Sequence, residues 1–189
     1  MTEELKSGTV DHPIPVAAVS TVAGIRDVFS TILETVTGGI AGAAKATGSA
    51  GALLPEAVAD VVKSAVRGAV GMGSDLVPAT KAIIMGVVRG SGAKEEAALK
   101  ILSHAAKTAI HQTADMGGDL AAATKGLVLG AIASAKNMGV DTARAASRAA
   151  QGALEGAAQA GPVTVERIRE ALKEPIGGSK VVLLESLAT

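Results

Sequence analysis

The stretch MGSDLVPATKAIIMGVV at residues 72–88 is matched 44 residues later by MGGDLAAATKGLVLGAI at 116–132. The two stretches share Met, Gly, Asp, Leu, Ala, Thr, Lys and Gly at corresponding positions. A third Met-Gly-x-Asp begins 22 residues after the second, at Met138. This spacing predicts an internal repeat of 22 residues, with units that begin at Val28, Ala50, Met72, Lys94, Met116, Met138 and Ala160.

A small residue recurs at the fifteenth position of the first six units, namely Gly42, Ser64, Gly86, Thr108, Gly130 and Gly152. The residue two places later is always apolar, and the next one is mostly polar, as in Arg67, Arg89 and His111. Apolar and solvent-facing positions that return in a fixed phase indicate the repeated face of an α-helix. We therefore predict a helix of about 15–18 residues in each unit.

Glycine-rich breakers mark the unit boundaries, for example GMGS at 71–74, GSG at 90–92 and GG at 117–118. Asp75, Asp119 and Asp141 follow three boundaries, where a carboxylate can accept hydrogen bonds from the free N–H groups of the next helix. Met-Gly-x-Asp is therefore interpreted as a turn plus an N-cap, with Met able to cover the joint.

These features predict an all-α fold of about six to seven short helices in 22-residue helix-turn units, stacked antiparallel as a helical repeat or bundle. Pro55, Pro78 and Pro162 lie near predicted helix starts, where a missing N–H costs little. An eleven-residue period would instead give one long coil. That alternative is disfavoured because each interior glycine costs a helix about 1 kcal/mol.

Glycine pairs four residues apart fall inside the predicted helices, at Gly38/Gly42, Gly86/Gly90, Gly126/Gly130 and Gly152/Gly156. This spacing places both glycines on one face of a helix, one turn apart. We expect these faces to let neighbouring helices approach to the short end of the usual range of about 8–10 Å. Ala and Val can then fill the core without large side chains.

The chain divides into three predicted regions. Residues 1–25 lack helical periodicity and are predicted to be a partly ordered N-terminal arm, with a first helix from about Ala23 to Thr47. Residues 26–174 form the helical repeat domain, whose last helix covers 165–174. Residues 175–189 form an apolar C-terminal tail, which either docks on its own bundle or pairs with another subunit.

Composition excludes several functional classes. Lys plus Arg (18) balance Asp plus Glu (18), and Phe29 is the single aromatic residue, so nucleic-acid binding is disfavoured. The absence of Cys excludes a disulfide scaffold and a thiolate site. The longest stretch without charge or His, 13–25, contains two prolines and is too short for a transmembrane segment. We expect a cytoplasmic protein.

Candidate chemical groups are few. His104, His111 and Asp115 are spaced to share a helix face, but no second carboxylate-and-histidine set faces them, as metal sites in bundles require. We therefore expect a solvated helix face and no metal. No nucleophile elbow, P-loop or zinc-protease motif is present. The expectation is a non-enzyme with no catalytic residue and no cofactor.

A regular helical repeat without a cluster of catalytic or metal-binding residues is typical of structural and interaction proteins. We expect a helical repeat protein that self-associates as a homo-oligomer or binds a protein partner. The alternative is an amphipathic-helix protein that coats a peripheral lipid or other hydrophobic surface. The absence of a basic interfacial stripe and of bulky aromatic anchors counts against that alternative.

Overall fold

The computed structural model describes residues 16–46 and 55–178. In these residues the fold is all-α, as predicted, with seven helices packed against one another. The helices are α1 (Val16–Ala46), α2 (Pro55–Gly71), α3 (Leu76–Ser91), α4 (Glu95–Asp115), α5 (Leu120–Met138), α6 (Thr142–Ala160) and α7 (Pro162–Lys173). The turns between them exclude one continuous coil over the described residues.

The predicted N-caps are confirmed. The carboxylates of Asp75, Asp119 and Asp141 accept hydrogen bonds of 2.8 to 3.2 Å from backbone N–H groups two or three residues later. A glycine in the left-handed region lies in each of the turns before these caps, for example Gly139 with φ of 71°. Met72 and Met116 do not cover their joints, because they remain 67% and 38% exposed.

The helices form two layers, α1, α3 and α5 in one and α2, α4 and α6 in the other. Each of the helices α1 to α6 packs most extensively on a helix two positions away in the chain, which belongs to the same layer. Gly126 of α5 lies against Thr80 of α3, and Gly130, one turn later, lies against Ile84. Because the contacts advance in the same direction on both helices, α3 and α5 are parallel. Consecutive helices run antiparallel, and two of them make one structural repeat of 44 residues.

The repeated Thr of the two matching stretches joins the helices of one layer. Thr80 is fully buried, and its hydroxyl oxygen lies 2.6 Å from the Leu76 carbonyl oxygen and 3.0 Å from that of Ala123 in α5. Thr124, its equivalent in α5, donates to the Leu120 carbonyl at 2.7 Å. A buried hydroxyl is therefore satisfied by backbone, and on α3 it also bridges to the neighbouring helix.

Three of the four glycine pairs lie in close helix contacts, as predicted. A β-carbon on Gly86 would lie 2.9 Å from the Val36 β-carbon of α1. One on Gly152 or Gly156 of α6 would overlap backbone carbonyl oxygens of α4. The prediction is wrong for Gly38 and Gly42 within the described residues, since a β-carbon on either would meet none of their atoms within 4 Å.

The core consists of aliphatic side chains from both layers, and the largest fully buried ones include Ile40, Ile83, Leu99, Leu102 and Leu127. Phe29 is partly buried and packs against the edge of this core. Neither layer closes on itself, because α1 packs on α2 and α3 while α7 packs on α5 and α6. The array therefore has an end formed by α1 and α2 and an end covered by α7.

Helix boundaries differ from the predictions at both ends of the chain. Helix α1 begins at Val16, not Ala23, so part of the predicted arm is helical, and its 31 residues exceed the expected length. Helix α7 begins at Pro162. Proline is favoured at this first position because the N–H group that it lacks would have no partner within the helix. Residues 1–15 of the predicted arm and 179–189 of the predicted tail lie outside the described residues.

Candidate binding surfaces

One edge of the first layer is an exposed face of α1 that has two glycines between charged residues, here called the open edge. It consists of the exposed residues Asp27, Thr31, Glu34, Gly38, Gly42 and Lys45, which follow helical spacing along one face. The equivalents of Gly42 one and two structural repeats later are Gly86 and Gly130, which pack against the preceding helix of the layer. No helix of the described chain packs on the open edge.

A second surface is an apolar groove of about 330 Å³ where α3 and α5 end beside α1. Leu33, Met85, Val88, Ala93 and Met138 supply most of its apolar wall. Its polar lining comes from Arg89, Ser134 and Asn137.

Arg89 is the one charged residue that lines this groove, and the other charges within α3 and α5 have the same sign. Lys81 and Arg89 on α3, and Lys125 and Lys136 on α5, are the charged residues between the caps and the ends of these helices. None of them makes an ion pair with a described residue. Asp75 and Asp119 lie at the opposite ends of the two helices, where their carboxylates are used as caps.

The third surface is a polar groove of about 500 Å³ between α2 and α4. It contains the three residues that the sequence placed on one face, and the structure confirms that His104, His111 and Asp115 share it. His111 Nδ1 lies 3.0 Å from Asp115 Oδ2, and His104 Nε2 lies 2.9 Å from the Pro55 carbonyl oxygen. Both imidazoles are therefore engaged with protein atoms.

Sequence reasoning missed the cations of the polar groove. Lys63, Arg67 and Lys107 line it, and none makes an ion pair with a described residue. Lys63 and Lys107 are 44 residues apart, as are Arg67 and His111, so the same two positions of successive repeats build the groove. The 44-residue recurrence was the signal that could have grouped them.

Some of the charges elsewhere on the second layer and on α7 are paired. Glu96 of α4 contacts both Arg144 and Arg148 of α6. On α7, Glu170 accepts a hydrogen bond from Lys173, which raises the pKa of that lysine. Such exposed pairs contribute little to stability, because solvent screens their charges.

Two further findings concern the described residues as a whole. They contain no group of three or more His, Asp or Glu side chains arranged to hold a metal ion. None of their helices combines the length and the apolar character needed to cross a membrane.

The class defined by this fold and these surfaces is an all-α, two-layer helical protein built from antiparallel helix pairs, with one open edge and two grooves. Comparison with protein-family models, curated proteins and solved structures gave no match.

Proposed function

We propose that this chain is a non-enzymatic structural protein that assembles with a second copy of itself through the open edge. The supporting observation is the exposure of Gly38 and Gly42 at positions whose repeat equivalents are buried. In the other repeats the corresponding face receives a parallel helix at close range. On α1 the same small-residue face is formed but has no described helix against it.

The charges that flank these glycines suit a two-fold symmetric pairing. In an antiparallel arrangement centred near Ile40, Gly38 of one copy faces Gly42 of the other. Glu34 then lies beside Lys45 of the second copy, and the symmetry repeats this ion pair. An isologous contact of this kind closes a dimer, which is the commonest form of soluble assembly. The other end of the layer is covered by α7, so head-to-tail stacking is blocked.

The test is the mass in solution of the full chain, measured by sedimentation and light scattering over a wide concentration range. We expect a dimer that Gly42→Leu dissociates, because the added side chain holds the two α1 helices apart. The monomer should remain folded, since a β-carbon on Gly42 would meet no atom of the described chain within 4 Å. A monomer at every concentration overturns the proposal.

Charge reversal tests the orientation. Glu34→Lys or Lys45→Glu alone should weaken the dimer several-fold, because exposed pairs contribute about 0.2–1 kcal/mol and each change affects both symmetric pairs. The double variant should restore it. Lys125→Glu, on α5 outside the open edge, is the matched control and should leave the dimer unchanged. Equal weakening by the control, or no rescue by the double variant, contradicts this pairing.

The proposal that the chain is not an enzyme is supported by the occupants of the polar groove. Thr108 is the one hydroxyl-bearing residue that lines it, and this hydroxyl donates to the His104 carbonyl at 3.1 Å. His111 is held by Asp115 rather than beside a nucleophile. The lipid-coating alternative is weakened because the apolar faces of the helices are buried in the core, so coating would require the layers to separate.

A further inference from the structure

Gln112 is the least expected residue of the polar groove. It lies in α4, is 7% exposed and lines the groove. Its side-chain amide has no hydrogen-bond partner in the described part of the chain. The amide atoms reach the space of the groove, because among the described residues Thr37 Oγ1, and no atom of Gln112, is both buried and without a hydrogen-bond partner. The amide is therefore free to hydrogen-bond with a molecule in the groove.

The repeat shows how the groove arises. The residues 44 positions before and after Gln112 are Gly68 and Gly156. In α6, Gly156 and Gly152 let that helix approach the backbone of α4. At the α2–α4 contact the corresponding positions of α4 are Gln112 and Thr108, whose side chains occupy the space between the helices. The same helix pairing is therefore tight between α4 and α6 and open between α2 and α4.

The charges facing this space favour an anion. Lys63, Arg67 and Lys107 contribute three positive charges, and Asp115, which is bound to His111, contributes one negative charge, which leaves a balance of +2 with neutral histidines. Three unpaired cations repel a metal ion. Gln159 of α6 is the remaining polar lining residue, and Ala59 supplies the apolar wall.

We propose that the polar groove is a binding site for a small oxyanion, a ligand with a phosphate or carboxylate group. The Gln112 amide N–H donates to an oxygen of the ligand, while Lys107, Lys63 and Arg67 neutralise its charge. Arg67 offers the planar donor pair that binds phosphate and carboxylate in a bidentate manner. The groove's volume of about 500 Å³ matches a small molecule. No aromatic residue lines it, so a nucleobase has no stacking surface.

The test uses isothermal titration calorimetry of the full chain at low ionic strength, with inorganic pyrophosphate in one arm and citrate in the other. We expect saturable one-site binding in at least one arm, and the stronger arm identifies the phosphate or the carboxylate class. Lys107→Gln should weaken binding at least tenfold. Lys136→Gln, an equally unpaired lysine on the other layer, is the matched control and should not. The proposal is overturned if neither anion binds, or if Lys136→Gln loses as much affinity as Lys107→Gln.

Gln112→Leu separates a ligand-binding role from a structural one. Because the amide has no described protein partner, an apolar residue of similar size should leave the melting temperature of the free protein unchanged or higher. The rise in melting temperature that the better anion gives the native protein should be lost. A lower melting temperature of the free variant, or an undiminished anion effect, would show that the amide serves the fold alone.

Discussion

A single methyl group added at two equivalent glycines should change stability in opposite directions. Gly68 of α2 and Gly156 of α6 are two structural repeats apart. A β-carbon on Gly156 would overlap the Lys107 carbonyl oxygen and approach its carbonyl carbon to 3.0 Å. A β-carbon on Gly68 would meet nothing within 4 Å, since α2 is the first helix of its layer.

The magnitudes follow from two opposing terms. Replacing Gly by Ala inside a helix gains about 1 kcal/mol. Overpacking costs about 1–3 kcal/mol, and the upper value applies at Gly156 because a backbone carbonyl cannot rotate away as a side chain can. The net expectation is a loss of about 2 kcal/mol for Gly156→Ala and a gain of up to about 1 kcal/mol for Gly68→Ala.

Thermal unfolding followed by circular dichroism measures both changes. For a chain of this size, a change of 1 kcal/mol shifts the melting temperature by about 2–4 °C. The melting temperature of Gly156→Ala should therefore lie about 4–8 °C below that of the native chain. The melting temperature of Gly68→Ala should lie up to about 4 °C above that of the native chain. A melting temperature for Gly156→Ala equal to or above that of the native chain would refute close backbone packing of α4 and α6.

Three further predictions concern the caps, the core and the lipid alternative. Asp119→Ala should lower the free energy of unfolding by about 0.5–2 kcal/mol in urea denaturation, because two N–H groups of α5 lose their acceptor, whereas the exposed Asp60→Ala should have little effect. Gly130→Leu should cost a few kcal/mol by the same measurement, since even a β-carbon there lies 2.9 Å from Ile84 and from the Lys81 carbonyl oxygen. Circular dichroism should show full helicity and one cooperative melt in plain buffer, unchanged by liposomes, and a gain of helix only on vesicles would favour the surface-coating function.

The sequence was sufficient to predict the helices, their caps and most of the close contacts. Local signals carried this success, because Asp119 acts on N–H groups two or three residues away and glycine spacing defines a helix face without knowledge of the partner. Met72 was misjudged because a methionine at a turn can cover it or point to solvent. Only the position of the neighbouring helices decides between these two orientations of the side chain.

The missed features depend on which helices become neighbours. A 22-residue period describes one helix and one turn, but the structural repeat contains two helices. The groups that meet within a layer are therefore more than 40 residues apart, for example Thr80 and Ala123, which are 43 apart. Lys63 and Lys107 look like isolated surface lysines until α2 and α4 are placed side by side. Gln112 likewise looks like one more polar helix residue in the sequence.

The position of a residue in the array also changes what the same residue type does. Gly42 and Gly130 occupy the same place in the repeat, yet Gly130 is buried against α3 while Gly42 is exposed, because no described helix precedes α1 in its layer. Conversely, Gln112 stands where Gly156 allows close packing, and the result is a groove instead of a contact. Both proposed binding surfaces therefore arise where the repeat is interrupted, at its first helix and at its one glutamine-for-glycine difference. If the surfaces were incidental, variants at these two interruptions would alter stability alone and leave dimerisation and anion binding intact.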